Sequence, residues 1–336
     1  MNQILELVCS WLQKPAPDQD VVISGRVRLA RNLLESPFPH RATEQELAAV
    51  AQTLRDALAP HGLGAGRALE LAHLSLEEKA LLVGARVLSP LLLHDLPHRW
   101  ALLNADGSAV AILNEEDHLR LQITCAGWQP DYLMPHMHHW DTILRSLPLR
   151  WGYTPKLGYL TASPINLGSG MRLGLLVHLM GLQRARQITR WLEALQTLGC
   201  HTRGLYGEGS LAFEGYVQIS LLGRHELLPD MVARLRGTLR TLIEAEREAR
   251  ARLDRDALDT EWQELIATLR HSESLSLGTT LRTLAVYRMR AMLEGDESLR
   301  DHADQLLFQI AVYPPPEPTH AGRSRAQWMR AAFLVS

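Results

Sequence analysis

Residues 114–122, Asn-Glu-Glu-Asp-His-Leu-Arg-Leu-Gln, constrain the fold more than any other stretch of this 336-residue chain. They follow the apolar run at 109–113, which reads as a strand continuing into them. Side chains on a strand alternate faces. Glu116, His118, Arg120 and Gln122 would then share one side, and Asp117, Leu119, Leu121 and Ile123 the other. The second side suits a core. The first sets a carboxylate beside a guanidinium, which a purely structural strand rarely needs. A solvated strand face with an ion pair along the strand is the alternative, and the other segments decide between the two.

Composition narrows the class. With 46% hydrophobic and 21% charged residues the chain reads as a globular protein, and its length suits two domains or one with an appendage. A formal charge of -2 leaves no basic footprint for nucleic acid. Lysine occurs only at 14, 79 and 156, so arginine carries nearly all the positive charge. Cys9, Cys125 and Cys200 are scattered and odd in number, which fits a reducing compartment and argues against a disulfide framework or a Cys-based zinc site. No apolar run reaches the roughly 18–20 residues of a membrane span, and no signal peptide is recognisable at the start. A cytoplasmic location is the expectation.

Along the chain, 2–13 reads as an amphipathic helix and 21–31 as a strand with Ser24, Arg26 and Arg28 on one face and Ile23, Val27 and Leu29 on the other. Neighbouring arginines repel, so such a row calls for an anion. Capping boxes at Thr43/Glu46 and Ser75/Glu78 predict helices running to about Leu58 and Leu88. Residues 104–107 predict a hairpin turn, and 131–147 a helix despite Pro135. His136, His138 and His139 lie there, but their spacing lacks a metal-site pattern and they read as incidental. A strand is predicted at 158–164. A Gly-rich loop at 165–172 then opens a long helix over 173–198, an arrangement that would suit an anion. Strands are expected from 200 and over 214–222, then helices from Pro229 to about Tyr313, a break at 314–316 and a short last helix.

These segments isolate Arg26, Arg28, Arg120, Arg172 and Arg203, with Glu116 and Glu208. Five arginines on separate segments suit a polyanion such as a nucleoside triphosphate. Phosphate would repel the two glutamates, so they should face a cation, and a guanidinium offers a fork of donors that two carboxylates can clamp.

With these residues in view, the sequence resembles the ATP:guanido phosphotransferase (phosphagen kinase) superfamily, and within it is most similar to bacterial protein-arginine kinases. The matching segments are 24–31, 114–122, 158–172 and 203–208, in the family's order and spacing. The resemblance implies an α+β fold, with an antiparallel sheet flanked by helices followed by a small all-α C-terminal domain. Its divisions would be an N-terminal extension (1–20), a catalytic domain (21–252) and a helical dimerisation or regulatory domain (253–336). It implies nucleotide contacts from Ser24, Gly25, Arg26, Val27 and Arg28, from Arg86 and Arg120, and from Arg172, Leu173, Gly174, Leu175 and Leu176. Further contacts would come from Arg203, Gly204, Leu205, Tyr206, Gly207 and Glu208. Glu116 would orient the acceptor guanidinium and take its proton, Glu208 would clamp its other side, and Arg120, Arg172 and Ser163 would complete the catalytic set. ATP would be the donor. Mg²⁺ would ride on its phosphates and on water near Glu115, with no metal site built from protein ligands.

The short segment ahead of the Ser-x-Arg-x-Arg strand matches the protein-arginine kinases and favours a protein substrate over a free guanidino compound. A weakly catalytic adaptor is the alternative from another class. The chain departs from the family in four places. Ser163 stands where a cysteine is usual, Gly25 where a small hydroxyl residue is, and Arg86 where a nucleotide-contacting histidine is. Residues 326–331 keep only the second arginine and final alanine of an Arg-Asp-x-x-Arg-Ala pocket, which counts against control by phosphoarginine. The resemblance further implies a homodimer, a zinc-binding activator, stress-response repressors and an ATP-dependent protease as partners.

Overall fold

The computed structural model describes residues 2–94, 97–205, 213–223, 228–313 and 316–334. Its strands are β1 (Val22–Arg31), β2 (Arg67–Glu70), β3 (Trp100–Leu103), β4 (Ala109–Leu113) and β5 (Leu119–Ala126), then β6 (Tyr153–Thr154), β7 (Gly158–Tyr159), β8 (Met171–His178), β9 (His201–Gly204) and β10 (Tyr216–Gly223). Among the described residues eight of them join in one antiparallel sheet, in the order β2-β3-β4-β5-β1-β8-β10-β9, while β6 and β7 pair separately. The alternating strand β1 sits inside the sheet. Its register sets Arg28 opposite Gln122 on one side and Arg172 on the other, and Arg26 opposite Thr124 and Gly174.

The helices are α1 (Asn2–Val8), α2 (Glu44–Leu58), α3 (Leu76–Gly84), α4 (Pro130–Ser146), α5 (Met180–Arg184) and α6 (Ile188–Thr197), then α7 (Leu228–Ala251), α8 (Arg255–His271), α9 (Leu277–Glu294), α10 (Glu297–Phe308) and α11 (Ala321–Leu334). Both expected capping boxes are present at α2 and α3. Each such cap contributes about 1 kcal/mol.

Two cores follow from the period of the strands. On one face Val27, Leu29, Leu121, Leu173 and Val217 pack with Leu54 of α2, Leu133 and Met137 of α4, and Leu235 and Leu239 of α7. On the other, Ala101, Val110, Ile112, Leu176 and Tyr216 pack with Leu82 of α3 and with Leu265, Leu284, Leu307 and Met329 of α8 to α11. The C-terminal helices thus share a core with the sheet. Each fully buried Leu or Val contributes roughly 1.5–3 kcal/mol. Gly84 lets the chain near Ile310 lie against the end of α3, since a Cβ there would stand 1.8 Å from the Ile310 carbonyl oxygen. Val312 N–H then donates to the Ala80 carbonyl at 3.0 Å.

Several expectations are corrected. Residues 114–118 are not strand but the turn of the β4–β5 hairpin. Asn114 takes a left-handed φ of 58° and its N–H donates to the His118 carbonyl at 3.0 Å, a conformation asparagine tolerates. Glu116 and His118 therefore do not share a strand face with Arg120. The run 173–198 is not one helix: it is the rest of β8, then α5 and α6. An apolar run buried on both faces has no period to separate strand from helix. With it goes the Gly-rich loop at a helix start. The strand expected at 158–164 shrinks to the two residues of β7, and α3 stops at Gly84, short of Leu88.

Candidate active site

The charged half of the sheet lies on the face that α3 and the C-terminal helices cover elsewhere. There Arg26, Arg28, Arg120, Arg172 and Arg203 line one cleft of about 190 Å³, joined by Arg86 from the turn after α3. Val83, Leu88, Pro90 and Leu205 give the cleft an apolar margin. Strand register explains the convergence. β5, β1, β8, β10 and β9 are adjacent, and Arg120, Arg28, Arg26, Arg172 and Arg203 all project from the same face.

The guanidiniums are fixed by neutral and acidic groups. Arg26 Nη1 donates to the Arg86 carbonyl at 3.1 Å. Arg120 Nη1 donates to Glu115 Oε1 at 2.8 Å, and its Nη2 donates to the Val87 carbonyl at 2.7 Å. Arg172 Nη2 donates to Ser220 Oγ at 2.8 Å. Arg86, held at a left-handed φ of 61°, donates from Nη2 to Gln218 Oε1 at 2.8 Å. Gln218 in turn donates from Nε2 to the Gly204 and Leu205 carbonyls, tying Arg86 to the edge strand β9. Burial, then Arg28, Arg86, Arg120 and Arg172, hold the Arg26 guanidinium well below its usual range. Burial, then Arg120, Arg172 and Arg86, do the same to Arg28. Such mutual repulsion is relieved by an anion with several negative charges.

The acidic end of the site is the hairpin turn. Glu116 has an exposed side chain at the tip of the turn; partial desolvation, then Asp117 and Glu115, push its carboxyl above the usual range, while the Ser163 hydroxyl, donating to it, and Arg120 pull the other way. Its neighbours fix the turn. Asp117 Oδ1 accepts from Asn32 Nδ2 at 2.6 Å and from the Ala162 N–H at 2.8 Å, which carries Ser163 to Glu116. Burial pushes Asp117 up as well. His118 is buried: its Nδ1 accepts from the Leu33 N–H at 3.0 Å, leaving Nε2 to donate to the Pro37 carbonyl at 2.8 Å. Burial keeps that imidazole neutral by lowering its pKa.

The sheet separates the remaining expected contacts. Ser24 is buried beside Arg26 in a small adjoining cavity with Arg86, Gln122 and Thr124. Gly174 and Leu175 line the cleft, while Leu176 lies in the core on the cleft's face of the sheet. Gly25 faces Leu133 and Cys125, and Val27 and Leu173 are buried in the opposite core, so their side chains do not reach the cleft. Gly204 accepts from Gln218. Tyr206, Gly207 and Glu208 lie outside the described residues. His136, His138 and His139 are exposed on α4, and no group of three or more His, Cys, Asp or Glu is placed to hold a metal ion among the described residues. Sequence reasoning missed Gln218 and Ser220. Their alternate positions on β10, on the face of Arg172, were the available signal.

The chain is similar to known proteins over most of its length. Residues 49–249 match the model of the ATP:guanido phosphotransferase C-terminal catalytic domain. A protein-arginine kinase of Shouchella clausii is 36% identical over 249 residues, covering 72% of this chain and 69% of that protein. One from Pelotomaculum thermopropionicum is 35% identical over 258 residues, covering 73% and 70%. Among solved structures, a lombricine kinase superposes with a TM-score of 0.59 at 24% identity, covering 75% of this chain and 73% of its own. The duplicated taurocyamine kinase of Schistosoma mansoni, with bound transition-state-analogue components, gives 0.59 at 23% identity, covering 70% and 34%. These two share the fold.

Proposed function

From the chain's membership of the ATP:guanido phosphotransferase family, which the matched domain and relatives establish, we infer that it is a protein-arginine kinase. It transfers the γ-phosphoryl group of ATP to a guanidino nitrogen of arginine in a protein. The observation that carries this reading is the convergence of six guanidiniums on one cleft, with Arg120 of that cleft bonded to the turn that presents the Glu116 carboxylate.

In the proposed mechanism Arg26, Arg28, Arg86, Arg120, Arg172 and Arg203 cradle the triphosphate and offset the charge that spreads over the transferred group. Phosphoryl transfer is mainly alignment and charge neutralisation, so fixed guanidiniums suit it. A bond forms between the acceptor nitrogen and phosphorus as the bond to the β-phosphate oxygen breaks and ADP leaves. Arginine holds its proton tightly, so a base must take it as the bond forms. Glu116 is that base, and its raised pKa makes it a better proton acceptor than an ordinary glutamate. Ser163 orients it by donating a hydrogen bond. Glu208 is proposed to clamp the guanidinium from the other side. Mg²⁺ is proposed to arrive as part of the nucleotide substrate, because Glu115, the nearest expected helper, is already paired with Arg120 at 2.6 Å.

The helices after residue 252 are proposed to serve dimerisation or regulation. A zinc-binding activator, a stress-response repressor and an ATP-dependent protease are proposed as partners, and a cytoplasmic location as the setting. The test of the central reading is phosphate transfer from Mg·ATP to an unfolded arginine-rich protein and, separately, to free arginine. The expected result is acid-labile phosphate on the protein, lost in Glu116→Gln. Transfer to free arginine alone would replace the protein substrate with a small guanidino compound.

A further inference from the structure

Eight large apolar side chains are exposed among the described residues, and four of them gather on two segments beside Glu116. Leu34 is 46% exposed, Tyr153 53%, Leu157 43% and Ile165 42%. The others, Leu76, Leu91, Leu198 and Phe213, are scattered singly, which is ordinary for a surface. The four are tied to the acidic turn by hydrogen bonds. Asn32, two residues before Leu34, donates to Asp117, and Leu33 donates to His118. Ile165 follows Ser163, the residue bonded to Glu116, by two positions. Tyr153 and Leu157 belong to the β6–β7 hairpin, whose next residue, Leu160, donates from its N–H to the Gly152 carbonyl and accepts from Asn32. The segments also pair directly, through Leu33 with Trp151 and the Leu34 N–H with the Arg150 carbonyl at 2.8 Å.

We propose that Leu34, Tyr153, Leu157 and Ile165 form a docking rim for the residues on either side of the target arginine, and that the rim favours an extended polypeptide with apolar residues next to that arginine. This rests on the protein-arginine kinase reading. If a guanidinium reaches Glu116, the backbone that carries it must pass the mouth of the site, and its neighbours then meet the rim. The exposed carboxylate of Glu116 complements the arginine, and the apolar side chains complement its flanks. The pairing suits a chain that is not folded, because apolar residues are mostly inside folded proteins. Flanking contacts of this kind hold substrate and transition state alike, so they act on KM more than on kcat.

The test is a pair of peptides of equal length and charge, one with leucine on both sides of a single arginine and one with glycine there. The wild-type protein should show kcat/KM roughly tenfold higher for the leucine peptide, chiefly through KM, the scale of a few methylene contacts. The double variant Leu34→Ser/Leu157→Ser should bring the ratio to about one while leaving the rate on the glycine peptide within about twofold. Ile165→Ser, made separately, should lower the ratio in the same direction, and melting temperature checks that each variant is folded. Equal rates on the two peptides in wild type, or a ratio unchanged in the variants, would overturn the rim. Phosphorylation of free arginine with neither peptide modified would instead overturn the protein-arginine reading on which it rests.

Discussion

Arg288 of α9 and Arg26 of the cleft are both buried, and their partners differ. Arg288 of α9 has carboxylate and carbonyl oxygens around it. It donates to Asp304 at 2.7 Å, to the Gln19 carbonyl at 2.7 Å and to the Asp20 carbonyl at 3.0 Å. Burial alone pushes it down, yet Asp304 reverses this and holds it above its usual range. In the cleft, Arg26 and Arg28 feel burial and other arginines together, and both are held well below it. The first arrangement is complete as folded and joins the C-terminal helices to the loop before β1. The second is unfavourable as folded and becomes favourable when phosphates arrive. A buried arginine therefore indicates binding when its neighbours share its charge.

Breaking the acidic end of the site should have the largest effect. Glu116→Gln removes the proton acceptor and should lower turnover by about 10²–10⁴-fold, with ATP affinity little changed, measured by rapid-quench and nucleotide titration. In the buried pair, Asp304→Ala leaves Arg288 without its counter-charge and should cost about 3–5 kcal/mol of stability, read by denaturant unfolding. In the cleft the sign differs. Arg28→Leu should weaken ATP binding by about 1.5–3 kcal/mol while leaving unfolding stability equal or higher, since a repulsion is removed.

The smallest expected change is in pH dependence. Glu116 must be ionised to accept a proton, and its pKa is raised. The acid limb of kcat/KM should therefore lie above the ordinary glutamate range. Ser163→Ala removes a hydrogen bond that stabilises the carboxylate, so the limb should move to higher pH. A limb that moves down, or stays where it was, would separate Ser163 from Glu116.

The two regions were unequally legible in the sequence. β1 could be read because its apolar and polar residues alternate, and the α2 and α3 starts because capping boxes are local chemistry. The cleft arginines were legible as charges on separate segments, but their convergence depends on strand order. Counting by twos through 114–118 carried the strand across a turn and misplaced His118, which tertiary hydrogen bonds bury. The run from Leu173 failed for the opposite reason, since burial on both faces erased its period. Arg288 gave no signal at all, because its partners Asp304, Gln19 and Asp20 come from distant parts of the chain.

The most direct measurement is a melting-temperature titration with ATP on the wild-type protein and on Arg28→Leu, at low and high salt. If the cleft arginines are held together for polyphosphate, ATP should raise the wild-type melting temperature by mass action. High salt should reduce the rise, and the variant should lose most of it while melting no lower than wild type without ATP. An equal rise in both proteins, or none in wild type, would contradict the account.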